Sequence, residues 1–90
     1  MAQSSAKNLL FATIFSPNYK KQLDFSGYAR SLSSYNSEGA FDILPLHENF
    51  VTILRGSITI IDESGVKREF KVGQALVEAS NNLVKVFVDF

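Results

Sequence analysis

The chain has 90 residues, is 46% hydrophobic and 20% charged, and carries a formal net charge of +0. That composition fits one globular domain, is too apolar for disorder, and leaves no basic surplus for nucleic acid or anionic lipid. The lack of cysteine excludes disulfides, thiolate nucleophiles and thiolate metal sites, and no apolar run approaches the ~18 residues of a membrane span.

Met1 to Lys7 is polar and reads as a loose tail, leaving residues 8–90 as the folded domain. Leu9 to Phe15 is a continuous apolar run, which predicts a strand buried on both faces. Ser16-Pro17-Asn18 ends it, because proline cannot donate to a sheet ladder. Gln22 to Phe25 reads as a short second strand, with a bend at Ser26-Gly27. Tyr28 to Ser33 then alternates, and the polar stretch Ser33 to Gly39 reads as the longest loop.

Phe41 to Leu44 is apolar apart from Asp42 and closes at Pro45. Phe50 to Leu54 is strongly apolar, Gly56 reads as a break, and Ser57 to Ile61 follows. Asp62-Glu63-Ser64-Gly65 predicts a hairpin loop with glycine in a left-handed position. Beyond it, Lys67, Glu69 and Lys71 form a wet face opposite Val66, Phe70 and Val72. Arg68 falls on the apolar side, so it is expected near an edge or snorkelling.

Gly73 allows a bend or bulge. Ala75, Val77 and Ala79 share a face, Asn81-Asn82 suits a tight turn, and Val84, Val86, Val88 and Phe90 make a last apolar face. Apolar runs punctuated every eight to twelve residues, with no helical period, predict an all-β fold: a flattened sandwich or barrel of two antiparallel sheets, with about nine short strands.

Little catalytic chemistry is visible. His47 is the only histidine, whereas a metal site needs several convergent ligands. Glu48 beside it would point to the opposite face of a strand. His47 therefore reads as a structural or interface residue. The glycine spacing matches neither a phosphate loop nor a dinucleotide fingerprint, and no G-x-S-x-G surrounds Ser64. Base stacking by the phenylalanines would also need a positive groove, which Lys20, Lys21 and Arg30 do not make. No cofactor is implied. On residues alone, a free-standing β-sandwich that binds a protein or small ligand stays open, as does a cupin-type metal protein.

Four stretches narrow the choice. Gly39 to His47 resembles G-x-(F/L)-G-I-(L/Y)-P-G-H, and Phe50 to Ile60 resembles L-L-T-x-L-x-P-G-x-(V/I)-x-I. Glu69 to Glu78 is similar to (E/K)-x-F-x-V-S-G-G-F-(L/V)-E-V, and Asn81 to Asp89 to N-N-x-V-T-V-L-A-D. Phe11 to Pro17 is similar to the same family's opening strand and turn. In that order they resemble the N-terminal domain of the epsilon subunit of F-type ATP synthases, over about residues 8 to 89. Asp42 and Leu46 stand where the family has glycine, and Arg55 stands where it has proline.

The resemblance implies a ten-stranded sandwich that makes and breaks no bond. It implies a rotor subunit of the central stalk at the cytoplasmic face of the membrane, not inserted in it, linking the gamma subunit to the c-ring. Ser16, Leu46 and His47 match gamma-facing positions, and Ser37, Glu38, Gly39 and Ala40 match the loop that approaches the c-ring. The chain ends at Phe90, so the family's helical hairpin and its regulation are not expected of it. An exposed gamma-facing patch also raises the expectation of self-association in isolation.

Overall fold

The computed structural model describes residues 9–15, 23–46 and 49–88. The expectations for the tail, for Ser16 and for His47 lie outside these residues. The described chain forms β1 (Leu10–Phe15), β2 (Leu23–Asn36), β3 (Gly39–Ile43), β4 (Phe50–Asp62), β5 (Lys67–Ser80) and β6 (Leu83–Val88). The strand order is β1-β6-β5-β4-β2-β3, and β1 also pairs with β2, so the sheet rolls closed. The β1–β2 pairing gives β1 a neighbour on each side, while β3 pairs with β2 alone among the described residues. All pairs are antiparallel except β1–β6, the first and last strands.

The expected all-β sandwich-like fold is present, but the described residues form six strands, not the nine read from the pattern or the ten implied by the resemblance. The difference has a physical cause. Gly27 and Gly56 lie inside β2 and β4, and Gly73 lies inside β5; none ends a strand. β2 illustrates the sharing that results: residues 23–29 pair with β1, and residues 32–36 pair with β3. One long strand thereby serves two parts of the roll.

Ser33 to Asn36, expected as loop, is strand because its polar groups find partners there. Ser33 Oγ donates to Asp42 Oδ1 at 2.6 Å, and buried Ser34 donates to the Ser57 carbonyl at 2.6 Å. Satisfied hydroxyls remove the cost of placing serine in a sheet interior. Asp42 lies opposite Ser33 in the ladder, with no positive φ that would demand the family's glycine.

Gly73 makes the expected bulge. Arg55 pairs with Gln74 and Gly56 with Val72, leaving Gly73 as the extra residue of β5. An inserted residue reverses the inward parity of a strand. Phe70 and Val72 point inward before it, and Ala75, Val77 and Ala79 after it. Gly56, opposite, adopts φ +93°.

The core is aliphatic. Leu10, Ile14, Leu32, Leu54, Ile58 and Ile60 are among its fully buried side chains. Each contributes on the order of 1.5–3 kcal/mol by leaving water. Edge-to-face pairs Phe25–Phe70 and Phe41–Phe50, with ring centroids 6.1 and 6.4 Å apart, pack against it. β1 is less buried than expected on its outer side. Leu10, Ala12 and Ile14 are fully buried, whereas Phe11 and Phe15 are half-buried.

A candidate docking face

The sheet's outer surface carries an apolar row. Register places Ile53 of β4 opposite Leu76 of β5, Leu76 opposite Phe87 of β6, and Phe87 opposite Phe15 of β1. Directly opposed residues share a face, so the four side chains run across four strands. The Phe15 and Phe87 rings stack with centroids 5.2 Å apart. A parallel row holds Val51, Glu78, Lys85 and Thr13. A third contains Leu83, Phe11 and Tyr28, the last two rings meeting edge-to-face at 5.2 Å. Val51 is 62% exposed, Ile53 42% and Tyr28 48%.

Leu46 lies beside this face and is 78% exposed. Its backbone N–H donates to Oδ1 of Asn82, in the β5–β6 turn. That turn has positive φ at both Asn81 (51°) and Asn82 (60°), the type I′ form that continues the twist of a hairpin. The Asn81 N–H donates in turn to Asn49 Oδ1 at 3.4 Å. Leu46, Asn49, Asn81 and Asn82 line a shallow pocket of about 230 Å³. Leu46 itself has φ +65°, a conformation glycine adopts freely. The backbone thus accounts for the family's glycine at this position.

The segment expected to face the c-ring is the tip of the β2–β3 hairpin. Ser37 and Glu38 form a two-residue turn, and Gly39 has φ +119°. The Glu38 N–H donates to Asn36 Oδ1 at 2.9 Å, an Asx-type bond that shapes the turn. Ser37, Glu38, Gly39 and Ala40 are all exposed. Asn36 Nδ2 donates to Thr52 Oγ1 at 3.2 Å. This bond ties the hairpin to the strand that carries Val51 and Ile53, so the structure brings the turn and the apolar face together.

Asp62 sits at the other end of β4 and holds the β4–β5 loop. Its Oδ1 accepts from the Ser64 hydroxyl, the Ser64 N–H and the Val66 N–H at 2.7, 3.0 and 2.9 Å. Its Oδ2 accepts from Arg68 Nε at 3.0 Å. These donors, the Ser64 hydroxyl foremost, lower its pKa from 3.8 to about 2 against the opposing effect of burial. Arg68 is thereby held at the rim, half-exposed, as expected of a charge on the apolar side. Arg30 Nη2 also reaches this loop, donating to the Glu63 carbonyl at 3.1 Å. The cluster is spent on holding the loop. Among the described residues, no three His, Asp or Glu side chains converge to hold a metal, and no helix is long and apolar enough to cross a membrane.

Of the expected interface residues, Leu46 is exposed with its N–H bonded to Asn82, whereas Ser16 and His47 fall outside the described residues. Sequence reading missed Val51, Ile53, Phe15 and Phe87 as a surface. The available signal was that β4 and β6 are apolar at positions of both parities.

Comparison with known proteins gives this face a context. The family described as ATP synthase, Delta/Epsilon chain, beta-sandwich domain matches residues 14–90. No curated protein sequence matches the chain. Among solved structures, a chain of the Euglena gracilis mitochondrial ATP synthase (OSCP/F1/c-ring, rotational state 1) is similar with a TM-score of 0.78 at 16% identity. The match covers 90% of this chain and 51% of that one. A chain of the Tetrahymena thermophila mitochondrial ATP synthase central stalk and c-ring is similar with a TM-score of 0.69 at 23% identity, covering 87% and 61% respectively. The chain therefore spans between half and two thirds of the length of these two.

Proposed function

We propose, from the premise that this chain belongs to the ATP synthase delta/epsilon-chain β-sandwich family, that it is a non-catalytic subunit of the rotor's central stalk. In this reading it joins the gamma subunit to the c-ring at the cytoplasmic face of the membrane, as a peripheral part of the complex. The observation that carries the reading is the family match over residues 14–90, laid over a fold whose outer surface presents an apolar docking face.

Gamma would lie against Leu46, Ser16 and His47. The row from Phe15 to Ile53 extends that contact, since Phe15 directly precedes Ser16 in the chain. Apolar area and shape carry such an interface, because exposed ion pairs contribute little each. The Ser37-Glu38-Gly39-Ala40 turn would meet the polar loops of the c-ring, with Glu38 supplying the acidic group. Rotation needs a foot that does not shear. A closed sheet whose turn is bonded to its docking strand, through Asn36 and Thr52, supplies that stiffness.

Co-expression with gamma tests the reading. The expected outcome is a stable complex that Leu46→Asp weakens at least about tenfold, the effect of about 1.4 kcal/mol. A wild-type chain that does not co-purify with gamma would remove the partner assignment.

A further inference from the structure

Among the described residues, an uncharged stretch of β4 has a strand on one side alone. Residues 51–55 of β4 pair with β5, but among the described residues β2 reaches β4 only at residues 59–62. Among the described residues, no backbone group outside β5 bonds to Val51–Arg55. Alternate residues of this stretch therefore turn N–H and C=O groups outward that have no backbone partner among the described residues. Among the described residues, a side-chain bond from Asn36 to Thr52 Oγ1 reaches it from another strand. The sequence Val51-Thr52-Ile53-Leu54 has no charge and no proline, the devices by which open edges are normally protected.

We propose that this edge pairs antiparallel with the same edge of a second copy of the chain, giving a two-fold dimer with one sheet running through both. The sequence is self-complementary about Thr52. Centred there, Val51 of one copy lies opposite Ile53 of the other, two exposed β-branched side chains of the favoured cross-strand kind. Arg55 lies opposite Asn49, so no like charges meet. The net charge of +0 adds no long-range repulsion. Among the described residues, β3 and the Lys67–Gln74 part of β5 are also unpaired on one side. The first has five residues and carries Asp42, and the second carries Lys67, Arg68, Glu69 and Lys71, so pairing of Val51–Arg55 with these edges is disfavoured. Like-to-like pairing closes at two copies. One strand pair plus the exposed Val51 and Ile53 buries less than the ~1,200 Å² of a stable interface, so the dimer is concentration-dependent. The proposal stands independently of gamma binding.

Sedimentation equilibrium of the full chain, from about 1 μM to about 500 μM, covers the range of such weak association. The mass should rise from one chain toward two and stop there. Val51→Lys puts a cation on the edge opposite Glu78 of β5, an intrachain partner that preserves the strand, and should weaken association at least tenfold. Ala40→Lys, on the β3 edge, should leave it unchanged. Hydrogen exchange of the wild type supplies a readout free of any variant: amides within residues 51–55 should gain protection only at high concentration. A single-chain mass throughout, growth beyond two copies, indifference to Val51→Lys, sensitivity to Ala40→Lys, or concentration-independent exchange at these amides would each overturn the proposal.

Discussion

The Asn82 side chain holds the backbone of Leu46: its Oδ1 accepts the Leu46 N–H across 36 positions of sequence. One asparagine thus shapes the β5–β6 turn with its own positive φ and bonds to the backbone of Leu46. Asn82→Gly keeps the turn's backbone freedom and removes only the side-chain bond. Chemical denaturation should show a loss of about 1 kcal/mol, the ordinary worth of one hydrogen bond. Gamma binding should weaken as well, because Leu46 loses its anchor.

Leu46→Gly separates stability from docking. The residue sits at φ +65°, where a non-glycine side chain costs about 1–2 kcal/mol. The variant should therefore be at least as stable as the wild type by thermal melting. It should still bind gamma more weakly, since an exposed apolar side chain is gone. Unchanged binding together with a lower melting temperature would show that Leu46 serves the fold alone.

Asp62 gives the chain an acid-sensitive joint. Its folded-state pKa is lowered from 3.8 to about 2, so the charged form is favoured in the folded state. Its contribution is present above pH 4 and is lost as pH falls through the window from 3.8 to about 2. Asp62→Asn should be less stable than the wild type at neutral pH. The gap between the two melting temperatures should narrow as pH falls from about 4 to about 2. A gap independent of pH would place the role of Asp62 outside its charge.

Gly73 sets the parity of β5. Deleting it should place Ala75, Val77 and Ala79, or else Phe70 and Val72, on the wrong side of the sheet. Circular dichroism and melting should show a chain without a cooperative transition. Gly56→Ala, at φ +93°, should cost about 1–3 kcal/mol and still fold.

The parts of the fold that were legible in the sequence were the local ones. The Asp62–Gly65 loop, the Asn81-Asn82 turn, the Gly73 bulge and the wet face of Lys67, Glu69 and Lys71 follow from turn chemistry and period-two spacing. Strand length was not legible. Glycine at 27 and 56 signals a break when read locally, yet pairing to neighbours distant in sequence carries the strand through. Ser33 to Asn36 looked like a loop because its hydroxyl and amide partners, Asp42, Ser57 and Thr52, lie 9 to 23 residues away. The docking face was hidden for the same reason: Ile53, Leu76, Phe87 and Phe15 form a row only once register is known. Leu46 could be picked from the motif, but the reason for the family's glycine there lay in its φ.

The most direct test of the central claim is hydrogen exchange of the dilute chain with and without gamma. Gamma should slow exchange in the segment around Leu46, in Phe50–Gly56 and in β1 and β6, while the Asp62–Val66 loop at the other end of β4 is unaffected. No protection anywhere, or protection confined to the Asp62 loop, would contradict it.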